Sequence, residues 1–209
     1  MDGMAARLLG YGAATLHEAC PAPNALPASL RPAWPGAAVA GPAYPVRVAP
    51  GDNLALHWAV ADAAAGEVVV ADAHDAVHGH WGEVMAVGAQ ARGIAGLVIA
   101  GGVRDTREQA ELGFPVFSSS VTLRGTAKRW AGTQGAPLAL GGIVVRRGDW
   151  VVADQDGVIV IPVEDLEATL VQAEARVRKE AAIMARLRAG STTLDEYGLR
   201  EIDVPLQGG

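Results

Sequence analysis

Two apolar runs on either side of a helical segment constrain the fold of this 209-residue chain more than any other feature. The runs EVVVADAH (67–74) and GLVIAGG (96–102) have the uninterrupted apolar character of strands that are buried on both faces. Between them, residues 82–92 are typical of a helix, and Gly93 and Gly96 bracket a short return. The stretch therefore predicts a strand–helix–strand unit in the middle of the chain.

The N-terminal part of the chain predicts a helix and an edge strand. The helix is expected over 4–19, and an irregular connection with five prolines follows over 20–36. Residues 38–50 are typical of a strand that is interrupted by Pro42 and Pro45. Because proline has no N–H group to donate to a neighbouring strand, these residues favour an edge position.

Two further helices are predicted around the central unit. The first covers 51–66, and either Asp52 or Asn53 can cap its N-terminus. The second begins at Thr106, whose spacing from Gln109 is that of a capping box. Together with the strands, these helices give a βαβαβ order in the middle of the chain.

The C-terminal half is rich in turn signals. A strand is predicted over 114–120, and 137–162 contains three strand-like runs separated by Gly-Gly, Arg-Gly-Asp and Gln-Asp-Gly turns, the pattern of a β-meander. Residues 163–190 predict a long charged amphipathic helix at the surface or at an interface between subunits. We therefore expect one α/β domain over 1–209, with a layered mixed β-sheet and flanking helices.

Composition narrows the classes of function. The net charge of −6 and the pI near 5.3 argue against a nucleic-acid-binding surface, which needs clustered Lys and Arg. The single cysteine, Cys20, excludes an intramolecular disulfide. The N-terminus lacks the basic start and apolar run of a signal peptide, and no apolar stretch reaches the roughly 18 residues that span a bilayer. A cytoplasmic location without a membrane partner is expected.

The charged residues of the stretch 79–105 lie almost entirely at its two ends. A helix over 82–92 is about 16 Å long, and the strand that returns from it is roughly 20 Å long. The short turn between them makes the two elements antiparallel, so the end of the strand lies near the start of the helix. Glu83, Arg104 and Asp105 are therefore expected to converge.

Two interpretations of this convergence follow from the residues. The free N–H groups of Gly82 to Met85 favour an anion, the Arg104 guanidinium matches a carboxylate, and two carboxylates suit Mg²⁺. This combination would bind a small 2-oxo acid on a metal ion. Alternatively, Glu83 complements the helix dipole and pairs with Arg104, and Asp105 is an ordinary loop residue. Spacing alone leaves both open.

Other candidate ligands are better explained by structural roles. The spacing of His74, His78 and His80 does not follow the usual tetrahedral zinc patterns. Asp154 and Asp156 lie in the turn sequence ADQDG and are typical of a hairpin connection.

The acid at position 83, followed after twenty residues by Arg104 and Asp105, resembles a motif of the class II 4-hydroxy-4-methyl-2-oxoglutarate/4-carboxy-4-hydroxy-2-oxoadipate aldolases. The resemblance covers nearly the whole chain, and the order and spacing of its segments make it specific. These segments are ATLHEA (14–19), PGDNLALHWA (50–59), HGHWGE (78–83), ARGIAGLVIAGGVRD (91–105), LGFPVFSSS (112–120), RGTAKR (124–129), GDWVVADQDGVIVIP (148–162) and LDEYGLR (194–200).

The resemblance implies a fold, a reaction and roles for individual residues. The fold would be the β/β/α swivelling-domain-like architecture of the superfamily of the regulator of ribonuclease activity A. Asp105 would bind Mg²⁺ or Mn²⁺ directly, Glu83 would hold a metal-bound water, and Arg104 would bind the substrate carboxylate and stabilise the enolate. The pyruvyl site would be lined by the backbone of Gly82, Glu83, Val84 and Met85.

Two more positions match the family's site residues: His57, and Glu18, which would come from a neighbouring subunit of a homotrimer or homohexamer. The implied activity is cleavage of a 4-hydroxy-2-oxo diacid to pyruvate and a second 2-oxo acid, with oxaloacetate decarboxylation as a side activity. The alternatives are a related metal-dependent 2-oxo acid lyase and a non-enzymatic ribonuclease-regulator-like protein. The latter generally lack the acid of the Arg-Asp pair, which this chain retains as Asp105.

This sequence departs from the family pattern at two positions. Many family aldolases have Asp where Glu83 stands, and an aromatic residue such as Tyr is common at the position of His80. Both differences affect the expected substrate preference.

Overall fold

The computed structural model describes residues 3–202 of the chain. Its α-helices are α1 (Gly3–Tyr11), α2 (Ala13–Ala19), α3 (Leu54–Asp62), α4 (Glu83–Ala91), α5 (Thr106–Leu112), α6 (Leu166–Arg188) and α7 (Thr193–Glu196). Its strands are β1 (Arg31–Pro32), β2 (Val39–Arg47), β3 (Val68–Trp81), β4 (Gly96–Val103), β5 (Val116–Val121), β6 (Thr133–Gln134), β7 (Leu138–Leu140), β8 (Ile143–Val145), β9 (Trp150–Ala153) and β10 (Val158–Ile161). Short 3₁₀ helices cover Val163–Asp165 and Leu199–Glu201.

A mixed sheet forms the centre of the molecule, in the strand order β1-β5-β4-β3-β2-β9-β10, with β6 paired to β2. Strands β2 to β5 run parallel to one another because α3, α4 and α5 make the crossovers. The outer strands β1, β6, β9 and β10 are antiparallel to their neighbours. The expected α/β class with a mixed sheet and flanking helices is confirmed.

Both faces of the sheet are covered, as the apolar run of β4 predicts. Leu97 and Ile99 belong to the core under α3 and α4. Val98 and Ala100, which alternate with them, belong to the core under the β7–β8 hairpin. All eight residues of β4 are buried, so the strand has no solvent-facing side.

The prediction that the proline-containing strand lies at an edge is wrong. β2 is central, with β3 on one side and β9 and β6 on the other. The N–H of Ala43 donates to the carbonyl of Asp149, the residue directly before β9 (2.7 Å). By strand alternation Pro42 therefore faces the β3 side, where pairing starts only at Ala43. Pro45 faces the opposite side, in the gap between the β9 and β6 pairings. Neither proline interrupts a hydrogen bond of the ladder.

Three local predictions need correction. The helix predicted over 4–19 breaks at Gly12, which has a φ of +80°. Thr106 and Gln109 form no capping box, because the N-cap is Asp105 and the buried Gln109 amide donates to the Arg104 carbonyl instead. Residues 137–162 hold four strands, not three, and β7 and β8 form a separate hairpin rather than a continuous meander.

The long helix predicted over 163–190 is confirmed as a 3₁₀ turn followed by α6. Its buried side chains include Leu170 and Ala173, which pack with α1 and α2. Most of its later turns are exposed. Among residues 3–202, no helix has both the length and the apolar character that crossing a membrane would require.

Candidate functional site

The two ends of the stretch 79–105 meet, as its geometry predicts. β3 ends at Trp81, Gly82 is the N-cap of α4, and β4 returns beside β3 to leave Arg104 at the same edge of the sheet. The Arg104 N–H donates to the Trp81 carbonyl (2.9 Å). The Glu83 N–H donates to Oδ2 of Asp105 (3.1 Å). A carboxylate thus lies at the N-terminus of α4, where the helix dipole favours negative charge.

Within residues 3–202, the ion pair of Arg104 is with Asp105 (Nε to Oδ2, 3.5 Å), and none is formed with Glu83. The ion pair between Glu83 and Arg104 that the second interpretation includes is therefore absent, while Glu83 does lie in the first turn of α4, where it complements the helix dipole. The Glu83 side chain is exposed. About half of the Arg104 side chain is accessible (49%), which leaves its guanidinium free to bind a further anion.

Gly82 makes this close approach possible. A Cβ at this position would overlap Oδ2 of Asp105 and lie 3.2 Å from both Cγ and Nε of Arg104. Asp105 itself has a left-handed backbone (φ 55°), a conformation that Asp tolerates better than most residues. The Gln109 amide, which donates to the Arg104 carbonyl, ties this turn to α5.

These residues form one wall of a cleft of about 320 Å³. A second wall comes from the start of α3 and from residues 122–132, which we call the cleft loop. Of the predicted site residues, His57, Gly82, Val84, Met85, Arg104 and Asp105 line the cleft. The further lining residues are Asn53, Gly79, His80, Gly125, Thr126 and Lys128.

Asn53 also lines the cleft, although its sequence context predicts only a helix cap. It is buried, and its Nδ2 donates to the His80 carbonyl (2.9 Å) and contacts the Met85 sulfur (3.5 Å). Its Oδ1 is buried without a hydrogen-bond partner among the described residues. The segments PGDN (50–53) and RGTAKR (124–129), which are part of the family resemblance, contain residues of the second wall.

The pKa values of the two histidines of the site are both lowered, although only His80 is fully enclosed. Burial lowers the pKa of His80, whose side chain is fully enclosed. Its Nε2 accepts the N–H of Gly51 (3.2 Å), which requires an unprotonated nitrogen there. Burial and, secondarily, the positive charge of Lys128 also lower the pKa of His57. A neutral imidazole at position 57 can therefore accept a proton from a molecule in the cleft.

Glu18 does not lie in the cleft of its own chain. It is on α2 and pairs with Arg176 of α6 (2.5 Å). Its expected role in a neighbouring subunit's site stays a prediction.

The residues of the cleft fit a weakly held hard cation better than a tightly caged one. In the part of the chain that the structure describes, no group of three or more His, Cys, Asp or Glu side chains could hold a metal ion. Asp105 lines the cleft and presents one carboxylate there. Mg²⁺ commonly uses one or two protein oxygens and keeps several waters, so this donor set suits Mg²⁺ or Mn²⁺.

A family model described as RraA-like, Aldolase/RraA, matches residues 13–160, which contain all of the cleft residues. The chain belongs to this family. A relative from Halalkalibacterium halodurans, named "Putative 4-hydroxy-4-methyl-2-oxoglutarate aldolase", is 38% identical over 165 residues, covering 78% of this chain and 77% of the relative.

Solved structures agree with the family assignment. Streptomyces coelicolor RraAS2, titled an unusual member of the RNase ES inhibitor RraA family, superposes with a TM-score of 0.74 at 26% identity, over 90% of this chain and 98% of that chain. The RNA-processing inhibitor RraA from Thermus thermophilis gives a TM-score of 0.61 at 30% identity, over 66% and 84%. The predicted family and fold are thereby confirmed.

Proposed function

We propose that this protein is a divalent-metal-dependent pyruvate aldolase that cleaves a 4-hydroxy-2-oxo diacid of the 4-hydroxy-4-methyl-2-oxoglutarate or 4-carboxy-4-hydroxy-2-oxoadipate type. The observation that supports this most strongly is the pairing of Arg104 with Asp105 at the N-terminus of α4, inside the cleft. The name of the Halalkalibacterium halodurans relative points to the same reaction.

The cleft's own residues suit a diacid with a reactive 2-oxo group. The guanidinium of Arg104 can hold the carboxylate beside that group through two parallel hydrogen bonds. Lys128, which also lines the cleft, is positively charged and can bind the second carboxylate. A cleft of about 320 Å³ is large enough for a molecule of this size.

Asp105 would hold the Mg²⁺ or Mn²⁺, with Glu83 binding one of its waters. When bound, the cation acts as a Lewis acid that polarises the 2-oxo group. Arg104 adds a fixed positive charge where the oxygen of that group gains negative charge. Backbone groups of Gly82, Glu83, Val84 and Met85 would line the pyruvyl end.

Cleavage requires a base at the 4-hydroxyl. The neutral imidazole of His57 can accept this proton, and Glu18 from a second copy in a homotrimer or homohexamer is the other candidate. As the proton leaves, a carbonyl forms at C4 and the C3–C4 bond breaks. Its electron pair passes into the enolate of pyruvate, and protonation at C3 then gives pyruvate. Oxaloacetate would lose CO₂ to form the same enolate, which accounts for the proposed side activity.

The test is a coupled assay for pyruvate release from both diacids and from oxaloacetate, with EDTA and then with added Mg²⁺ or Mn²⁺. We expect turnover that EDTA abolishes and either metal restores. Absence of metal-dependent pyruvate release from all three compounds would refute the proposal. Size-exclusion chromatography with light scattering should give a trimer or hexamer, and a monomer would refute the role of Glu18.

A second candidate function is supported by the solved RraA structures, whose titles describe inhibitors of RNA processing and of an RNase. Under this alternative the protein would bind a ribonuclease and inhibit it without chemistry of its own. Inhibition of an RNase E-type enzyme by wild-type protein and equally by an Asp105→Asn variant, with no pyruvate release, would favour it.

A further inference from the structure

The strongest unassigned feature of the cleft is the carboxylate of Asp52, which lies behind the lining residues rather than among them. Only 7% of Asp52 is exposed. Its Oδ1 accepts the N–H of Leu54 (2.9 Å), at the start of α3. Its Oδ2 accepts the N–H of Arg129 (2.6 Å), 77 positions further along the chain. One buried side chain thus joins the two segments that make up the second wall of the cleft.

The backbone supports the same junction. The Asn53 N–H donates to the Ala127 carbonyl (3.0 Å), and the Ala127 N–H donates to the Gly51 carbonyl (2.8 Å). Apart from this single bridge at Ala127, residues 122–132 have no regular secondary structure after β5 ends. Lys128 is exposed and lies directly before the residue whose N–H Asp52 holds. The Asp52 carboxylate therefore holds the backbone directly next to Lys128.

The groups around Asp52 stabilise its negative charge. Burial by itself would raise the pKa of Asp52. Hydrogen bonds from the N–H groups of Leu54, Arg129 and Trp130, with the positive charge of Lys128, outweigh it and lower the pKa. The carboxylate is therefore ionised at neutral pH, and charge-assisted hydrogen bonds of this kind are stronger than neutral ones.

We propose that Asp52 is a positioning residue: its carboxylate fixes the cleft loop against α3 and thereby holds the Lys128 ammonium toward the distal carboxylate of the substrate. This inference rests on the proposed function for the identity of the substrate, but not for the anchoring. Asp52 acts through Lys128 and does not touch the reacting atoms.

The variant Asp52→Asn isolates the anchor. Asparagine keeps an oxygen that can accept the Leu54 N–H and cap α3, while its amide group turns a donor toward the N–H of Arg129. The variant therefore keeps the cap of α3 and loses the hydrogen bond to the Arg129 N–H in the cleft loop. Asp62→Asn, an exposed position at the other end of α3, is the matched control.

The first measurement is limited trypsin digestion, which needs no enzymatic activity because the cleft loop contains Arg124, Lys128 and Arg129. D52N should be cut in this loop about tenfold faster than wild type, the ratio expected for one lost hydrogen bond to a charged group. Its melting temperature should fall by only a few degrees. D62N should be cut at the wild-type rate. Cleavage of D52N at the wild-type rate would overturn the proposal.

The second measurement is a double-mutant cycle with Lys128→Met. D52N should raise the KM for the diacid about tenfold with a much smaller change in kcat, and it should change KM less than about twofold in the K128M background. An equal effect in both backgrounds would show that Asp52 does not act through Lys128 and would overturn the proposal.

Two outcomes separate this inference from the proposed function. If wild-type protein has no turnover while D52N still frees the loop, the aldolase proposal fails and the anchoring stands. If D52N does not fold, amide exchange in the wild-type protein decides. The Arg129 N–H, held by Asp52, should exchange at least about tenfold slower than the neighbouring Lys128 N–H, and equal rates would overturn the anchor.

Discussion

Replacement of Gly82 by alanine tests the geometry of the site with the smallest possible change. Gly82 has an extended backbone (φ −157°), which alanine adopts without strain. The added methyl group would nevertheless overlap Oδ2 of Asp105 and press on Arg104, whose Cγ and Nε would lie 3.2 Å away. To restore ordinary van der Waals separation, the Asp105 carboxylate must move by roughly 1 Å.

A shift of this size is large for catalysis and small for folding. Misplacing a catalytic group by about 1 Å costs on the order of 100-fold in rate, or about 2.7 kcal/mol of transition-state stabilisation. Gly82→Ala should therefore lower kcat/KM for pyruvate release about 100-fold. Because Arg104 and Asp105 are partly exposed and can turn toward solvent, the melting temperature should fall by only a few degrees.

Gly88→Ala is the matched control in the same helix. A Cβ at Gly88 would meet only Cγ1 of Val60, at an ordinary 3.8 Å, and Gly88 does not line the cleft. This substitution should leave activity unchanged and stabilise α4 by about 0.5–1 kcal/mol. Full activity in Gly82→Ala, or an equal loss in both variants, would refute the assignment of the cleft as the active site.

Three further predictions concern charge and pH. In Asp105→Asn, the new asparagine still tolerates the left-handed backbone at this position (φ 55°), so circular dichroism should show a native fold. The rate of pyruvate release should fall at least about 100-fold, which is the cost of losing one strong electrostatic contact. Because burial lowers the pKa of His80, the unfolded chain binds more protons than the folded one just below the ordinary value of 6.5. The free energy of unfolding should therefore fall as the pH drops below about 6.5. In urea unfolding, the free energy of unfolding of His80→Gln should depend less on pH than that of wild type. An equal pH dependence in the two proteins would contradict a neutral, buried His80. The side chain of Glu67 is 10% exposed and accepts two hydrogen bonds from Arg147, of 2.8 and 3.0 Å. Glu67→Gln should lower the free energy of unfolding by about 1–2 kcal/mol and leave the rate of pyruvate release unchanged.

The central part of the fold was predictable because its signals are local. The helix predicted over 82–92 corresponds to α4, and the strand predicted over 96–102 corresponds to β4, because a glycine marks each boundary and the apolar run is continuous. The central position of β2 was not predictable from its prolines. It depends on where three distant strands start and stop pairing with Pro42 and Pro45, which is tertiary information.

The site divides in the same way. Arg104, Asp105 and the start of α4 could be brought together by counting residues along one helix and one strand. The second wall could not, because Asp52 and Arg129 are 77 positions apart and meet only through the completed sheet. The sequence context of Asn53 predicts only a helix cap, a role that the side chain of Asp52 fills instead. The proposed role of Glu18 depends on a second copy of the chain, so one chain cannot test it.

The most direct test of the central claim follows hydrogen exchange at the methyl group of pyruvate in D₂O by proton NMR. If Arg104 and Asp105 with Mg²⁺ or Mn²⁺ form an enolate site, wild-type protein should catalyse loss of the methyl signal when metal is present. EDTA should stop the exchange, and Asp105→Asn should slow it at least about 100-fold. Exchange at the same rate in Asp105→Asn, or no exchange in wild-type protein with metal, would contradict the account.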